Sequence, residues 1–269
     1  MSIDGDFTST YTILEERIKA IEKKLPSWKE EHRAMPNHIA RSALFSSYKK
    51  GKRPLYDNEI IWSRRDVVIA FTGLGLDETD AGLWLELLHH HRNKPLGEKT
   101  YIRKSLLLNS MNKTKGGASY SLLEDSLDRL QGKIKINKIL KERKPKLLLS
   151  GSLLSIFGID EDTGQFYIKI EKDIANLFSN REFSLINNNS RNRLSALAKS
   201  LQLQIATSSE TQQTHSYDNL KKRLNRNTET RYLKRDLRVA CTQLKKNKII
   251  YKFDLQKEKL VIWRTKITS

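Results

Sequence analysis

The chain has 269 residues, 38% of them hydrophobic, enough to bury one large core or two small ones and too apolar for wholesale disorder. Fifty Lys and Arg against thirty-one Asp and Glu leave a formal charge of +19, which suits a polyanionic partner, nucleic acid first and anionic membrane second. No apolar run is long enough to span a bilayer, no secretory signal is visible, and the lone cysteine, Cys241, excludes an internal disulfide and cysteine-based zinc sites, so a cytoplasmic protein is expected.

Residues 11–25 repeat Leu14, Ile18, Ile21 and Leu25 at helical spacing, predicting an amphipathic arm over 1–25. After "LPSW", the segment "MPNHIARSALF" predicts a helix with Pro36 in its first turn and Ile39, Ala43 and Leu44 facing inward. "NEIIWSRRDVVIAFTG" reads as a hairpin around Arg64 and Arg65. A helix follows with Trp84, Leu87, Leu88 and His91 on one side. Then come "TYIRKSLLLNSM", the turn "NKTKGG" and a helix over 118–131 striped by Leu123, Leu127 and Leu130, which is helix-turn-helix order. "KLLLSGSLLSIFGI" and "QFYIKI", joined through "DEDTG", close the unit as a hairpin.

The same order returns. "RNRLSALAKSLQ" carries Leu194, Leu197, Ala198 and Leu201, and "SYDNLKKRLN" starts at Ser216 as its N-cap. A third helix runs to about Lys246, with Thr228 as its cap and Glu229 in its first turn. "IIYKFDLQKEKLVIWR" ends the chain as a hairpin with Lys257 and Lys259 near its turn. The expected fold is therefore α+β and helix-rich, with two tandem winged-helix domains, 26–185 and 186–269.

Charge is concentrated in the second domain. Residues 191–248 hold fourteen basic and four acidic side chains, a surplus of ten. With Leu233 as origin, Leu237, Ala240, Cys241 and Leu244 share its side of the third helix, while Arg231, Lys234, Arg235, Arg238, Thr242 and Lys245 occupy the other. A solvated face mixes signs to gain i,i+4 pairs; this one is almost purely basic, and like charges at that spacing oppose the helix unless a polyanion neutralises them. As the second helix of a helix-turn-helix it would lie in a DNA major groove, with Arg suited to guanine and Lys to phosphate. The candidate DNA contacts are Lys221, Arg223, Arg226, Thr228, Thr230, Arg231, Lys234, Arg235 and Arg238, with Lys257 and Lys259 on the wing. In the first domain, Glu124, Asp125, Asp128 and the wing acids Asp160, Glu161 and Asp162 would repel phosphate. Lys113, Lys115, Ser119 and Tyr120 are the better candidates there.

Three other patterns lead nowhere. "GLGLDE" puts Glu78 where a dinucleotide loop needs its third glycine. His89, His90 and His91 point about 100° apart on a helix and suit its C-terminus better than a metal. "DEDTGQ" lacks EF-hand ligand spacing. No catalytic, cofactor or metal site is expected.

The segments "RAMPNHIARSALF", "IAFTG", "LWLELLHHHRNKPLGE" and "YSLLEDSLDRLQ" resemble the TrfA-type plasmid replication initiators, over roughly residues 25–265 and more closely in the first half. That resemblance implies tandem winged helices that bind iterons, the direct repeats of a plasmid origin, and help open the adjacent DNA. It also implies recruitment of the host initiator and helicase machinery and a balance between homodimers and active monomers. Family members can carry a Gln-Leu-Ser-Leu-Phe clamp-binding motif before the first of these segments; here that region reads "AIEKKLPSW". A winged-helix transcriptional repressor, acting on its own promoter, fits the same residues.

Overall fold

The computed structural model describes residues 23–48, 52–140 and 144–265. The expected arm over 1–25 lies almost wholly outside the described residues; its last stripe member, Leu25, is buried in the larger core.

The first unit opens with β1 (His32–Pro36), a single turn α1 (Asn37–Ala40) and the short strand β2 (Phe45–Ser46). The helix expected from Pro36 onward is thus one turn long. Pro36 ends a strand because β1 is captured by a distant partner, β11 (Phe183–Asn187), in antiparallel register from His32 opposite Asn187 to Pro36 opposite Phe183. Ile39, Ala43 and Leu44 are nevertheless buried. Strands β3 (Leu55–Ile61) and β4 (Val67–Leu74) form the hairpin around Arg64 and Arg65, and β5 (Leu76–Asp77) leads into helix α2 (Glu78–His91).

Helix α2 is closed at its start by a capping box. Asp77 accepts from the Thr79 and Asp80 backbone amides at 2.7 and 3.2 Å, and Asp80 accepts from the Asp77 amide at 2.8 Å. It is the central beam of the first unit, buried on nearly every side, with Trp84, Leu87, Leu88 and His91 all inaccessible. Its three histidines diverge: His89 meets Trp28, Arg33 and Glu30, whereas His91 meets Thr100 and the Pro95 carbonyl.

"TYIRKSLLLNSM" divides into strand β6 (Lys99–Ile102) and helix α3 (Lys104–Ser110), followed by α4 (Gly117–Leu130) with Leu123, Leu127 and Leu130 inward. Next is a strand absent from the expected elements, β7 (Lys133–Ile139). Its alternation of exposed Lys133 and Lys135 with buried Ile134 and Ile136 is a half-buried strand pattern. β7 pairs with β4 and with β8 (Pro145–Ser152), giving a four-stranded sheet in the order β3-β4-β7-β8. The hairpin through "DEDTG" is β9 (Ile156–Ile159) and β10 (Phe166–Lys169), and β6 adds to it as a third strand. A short helix α5 (Ile174–Leu177) and β11 complete the unit.

The second unit contains α6 (Asn188–Asn192), α7 (Ala196–Ala206), β12 (Gln212–Ser216), α8 (Tyr217–Arg223), α9 (Thr230–Lys246), β13 (Ile250–Leu255) and β14 (Lys259–Arg264). The expected helix over 191–202 is two helices broken at Ser195. Ser216 caps α8 as expected, accepting from the Asn219 amide at 3.3 Å. Thr228 does not cap α9: the N-cap is Glu229, without a side-chain bond, so the helix begins one residue later than its sequence suggests. β14 lies between β12 and β13 in a three-stranded antiparallel sheet.

Two apolar clusters result. The larger spans Leu25 to Ile186 and adds Leu203; the smaller spans Leu194 to Ile262 and encloses Leu233, Leu237, Ala240, Cys241 and Leu244. Beside the Leu203 contact, buried polar contacts join the two. Arg191 pairs with Glu78 at 2.6 Å, and Asn188 donates to Glu86, which Arg33 also holds. Burial raises the Glu78 carboxyl pKa, partly offset by the Arg191 charge.

Candidate nucleic-acid interface

Helix α9 separates its faces cleanly. Leu233, Leu237, Ala240, Cys241 and Leu244 are at most 1% exposed, while Arg231, Arg235, Arg238, Thr242 and Lys245 are all exposed on the other side. The burial of Leu233 and its helical neighbours in the smaller core therefore forces the arginines outward. The side chains of Arg231 and Arg235 are 69% and 70% exposed. Both lie over the ring of Tyr232, at 4.6 and 5.6 Å from its centroid, so one aromatic ring makes cation–π contacts with two guanidinium groups. Tyr232 and Val239, 43% and 57% exposed, interrupt the basic face with apolar surface. Neither was singled out from the sequence, although an exposed aromatic next to a buried Leu233 is a readable signal.

The remaining candidates of this region play different parts. Lys221 donates to the Thr230 hydroxyl at 3.0 Å and so links α8 to the start of α9. Lys234 sits 5.1 Å from the Tyr217 ring. Arg226 bonds Asp236 at 3.1 Å and reaches Ser47 of the first unit at 3.2 Å. Thr228 is half-buried in the loop before α9.

Arg223 is a correction. It is 2% exposed and cannot reach a duplex; it donates to the Ser200 hydroxyl and to the Ala40 carbonyl of the first unit, each at 2.8 Å. Its charge run in the sequence hides that it falls on the inner side of α8, beside Leu220 and Leu224. Burial pushes its pKa down to about 10.

Lys257 and Lys259 are both exposed at the β13–β14 turn. Behind them Lys252 lies 4.7 Å from the Trp263 ring and Tyr251 is half exposed, so the hairpin is basic and aromatic along its length. In the first unit, Lys113 and Lys115 are exposed in the α3–α4 turn, with Ser119 and Tyr120 half-buried in the first turn of α4. Gly116 caps α4 without a side chain, leaving the helix's first amides open to an acceptor. Glu124 is neutralised by Lys104 at 2.9 Å, whereas Asp125 and Asp128 stay exposed. Basic side chains thus stand exposed on the α9 face, at the second hairpin and before α4. No helix among the described residues is long and apolar enough to cross a membrane.

The class this architecture defines is a mixed helix-and-strand fold of two units, shared with domains 2 and 3 of RctB. One crystal structure of those domains superposes with a TM-score of 0.58 at 14% identity, covering 86% of this chain and 99% of that one. A second superposes with a TM-score of 0.54 at 15% identity, covering 85% and 96%. The TrfA protein family model matches residues 12–259, and the chain belongs to that family. The plasmid replication initiator protein TrfA of Escherichia coli is 36% identical over 107 residues, which are 39% of this chain and 28% of that protein. The match therefore spans under a third of the curated relative's length.

Proposed function

We propose that the chain is a non-enzymatic plasmid replication initiator, cytoplasmic, whose two units are tandem winged helices binding the iterons of an origin. In this reading α9 is the recognition helix, lying in the major groove with Arg231, Arg235 and Arg238 towards base edges. Lys257 and Lys259 hold flanking phosphates from the wing, and Lys113, Lys115, Ser119 and Tyr120 supply a weaker contact from the first unit. The order helix, strand, helix, helix, hairpin in the second unit supports the winged-helix assignment. Membership of the TrfA family supports origin opening, recruitment of host initiator and helicase proteins, and exchange between dimer and monomer.

The observation that carries the reading is the one-sided face of α9, whose arginines gain little from one another and are held outward by a fully buried opposite side. If the surface neutralises about 6–10 phosphates, affinity for a duplex carrying the origin repeats falls about 10³–10⁵-fold between roughly 50 and 200 mM salt. A fluorescence-anisotropy titration measures this, and a nearly flat salt response overturns the proposal.

A further inference from the structure

A cleft of about 310 Å³ lies where the β3–β4 turn of the first unit faces α7 and β12 of the second, apart from every surface described above. Arg41, Trp62 and Arg64 form the first unit's share of its lining, and Gln204, His215 and Arg223 the second unit's. Its size falls at the lower end of the roughly 300–1,000 Å³ common for small-molecule sites.

Three buried polar atoms on this lining have no hydrogen-bond partner among the described residues: Arg223 Nε, His215 Nε2 and Gln204 Oε1. Arg223 is 2% exposed, so its Nε–H has no access to bulk solvent. His215 Nδ1 lies 3.0 Å from Gln204 Nε2. With the amide donating, Nδ1 accepts and the imidazole proton sits on Nε2, making it a donor. The lining therefore offers two unused donors and one unused acceptor. Trp62 adds a half-buried aromatic ring, and Arg41 and Arg64 add positive charge. Part of that charge is already engaged: Arg64 pairs with Asp66 at 3.1 Å, Arg41 donates to the Thr207 carbonyl, and the exposed Glu210 stands among the lining residues. Inorganic phosphate would leave the ring and the Gln204 acceptor without a use. A purely apolar ligand would leave all three buried polar atoms unmatched, which is costly.

We propose that this cleft binds a nucleoside phosphate, with its base stacked on Trp62 and hydrogen-bonded to His215, Gln204 and Arg223, and its phosphate held by Arg41 and Arg64. Such a ligand touches both units at once and ties them together. The duplex-reading face of α9 is not involved.

Isothermal titration calorimetry of the full chain with the ribonucleoside 5′-mono- and diphosphates tests this. One-site, saturable binding is expected for at least one of them, with a rise in melting temperature as the two units are tied. Trp62→Ala should weaken that binding on the order of tenfold, the effect of losing one stacked ring. Arg64→Ala should weaken it too, and both variants should keep wild-type duplex binding. Arg64 is 55% exposed, so that variant keeps the test open if the Trp62 variant does not fold. The proposal is overturned by any of four outcomes: no saturable binding by any nucleotide, binding unchanged in both variants, equal binding of pyrophosphate alone, or binding of a single-stranded oligonucleotide but of no free nucleotide.

Discussion

Two arginines twelve positions apart show how little a residue's type decides without its burial. Arg235 is 70% exposed and bonds the adjacent Asp236, whereas Arg223 is 2% exposed and joins the two units. Arg235→Ala should cost about 1–3 kcal/mol on a cognate repeat and relax preference at one base position, with the melting temperature unchanged. Equal losses on cognate and random duplexes would reduce it to a phosphate contact. Arg223→Ala should do the opposite, costing roughly 2–4 kcal/mol of stability through two lost charged hydrogen bonds. Calorimetric melting and anisotropy on both variants separate the two roles. His215 makes one contribution to the loss of stability in acid. Burial first, then the nearby Arg223 charge, push its pKa down to about 4 from the ordinary 6.5. Well above pH 6.5 the imidazole is neutral folded or unfolded and contributes nothing to the pH dependence. As the pH falls through 6.5 towards 4, the unfolded chain takes up a proton that the folded chain excludes, and stability is lost, on the order of 3 kcal/mol over the full window. Melting temperature should therefore fall less steeply between pH 6.5 and 5 in His215→Gln than in the natural chain; identical slopes refute it.

At the scale of elements, periodic burial was readable and long-range capture was not. The inward stripe of α9, the Ser216 cap and the β3–β4 hairpin follow from local spacing and local hydrogen bonding. Pro36 is different, because its strand exists only through pairing with residues nearly 150 positions away. β7 was missed for a simpler reason: its lysines mask an alternation carried by only two fully buried isoleucines. Thr228 looked like a cap by type, yet α9 starts at Thr230 with no side-chain cap at all. Among the candidate site residues, the outer positions of α9 and the hairpin lysines could be placed from sequence, since exposure follows directly from the opposite face being buried. Arg223 could not, because its partners belong to another unit. The hairpin has its own test. Lys257 is exposed at a turn, so Lys257→Ala should weaken cognate and random duplexes alike and lower the salt slope by about one. A loss confined to the cognate duplex would make the wing a base-reading element instead.

The whole molecule is two apolar cores joined by a polar seam. The second unit closes its own core from Leu194 to Ile262, so a fragment of residues 188–269 should fold and keep weak, sequence-selective duplex binding. It should also melt below the full chain, because Arg191 and Arg223 lose Glu78 and the Ala40 carbonyl. Circular dichroism melts and anisotropy titrations check both points; selectivity residing only in residues 23–187 would reverse the assignment of the reading unit.

The pairing of β1 with β11 sets how the protein bears load. His32 lies opposite Asn187 at one end of a five-rung ladder, and the chain before it is already anchored by Leu25 and Trp28 in the larger core. Tension between the segment before Leu25 and a second unit anchored elsewhere must withdraw that anchor before it loads the ladder. It separates the rungs one after another towards Pro36 and Phe183, as a zip fastener opens, instead of shearing them all together. Anchor and ladder yield in series before the four-stranded sheet is loaded, and together they are the mechanical fuse of the molecule.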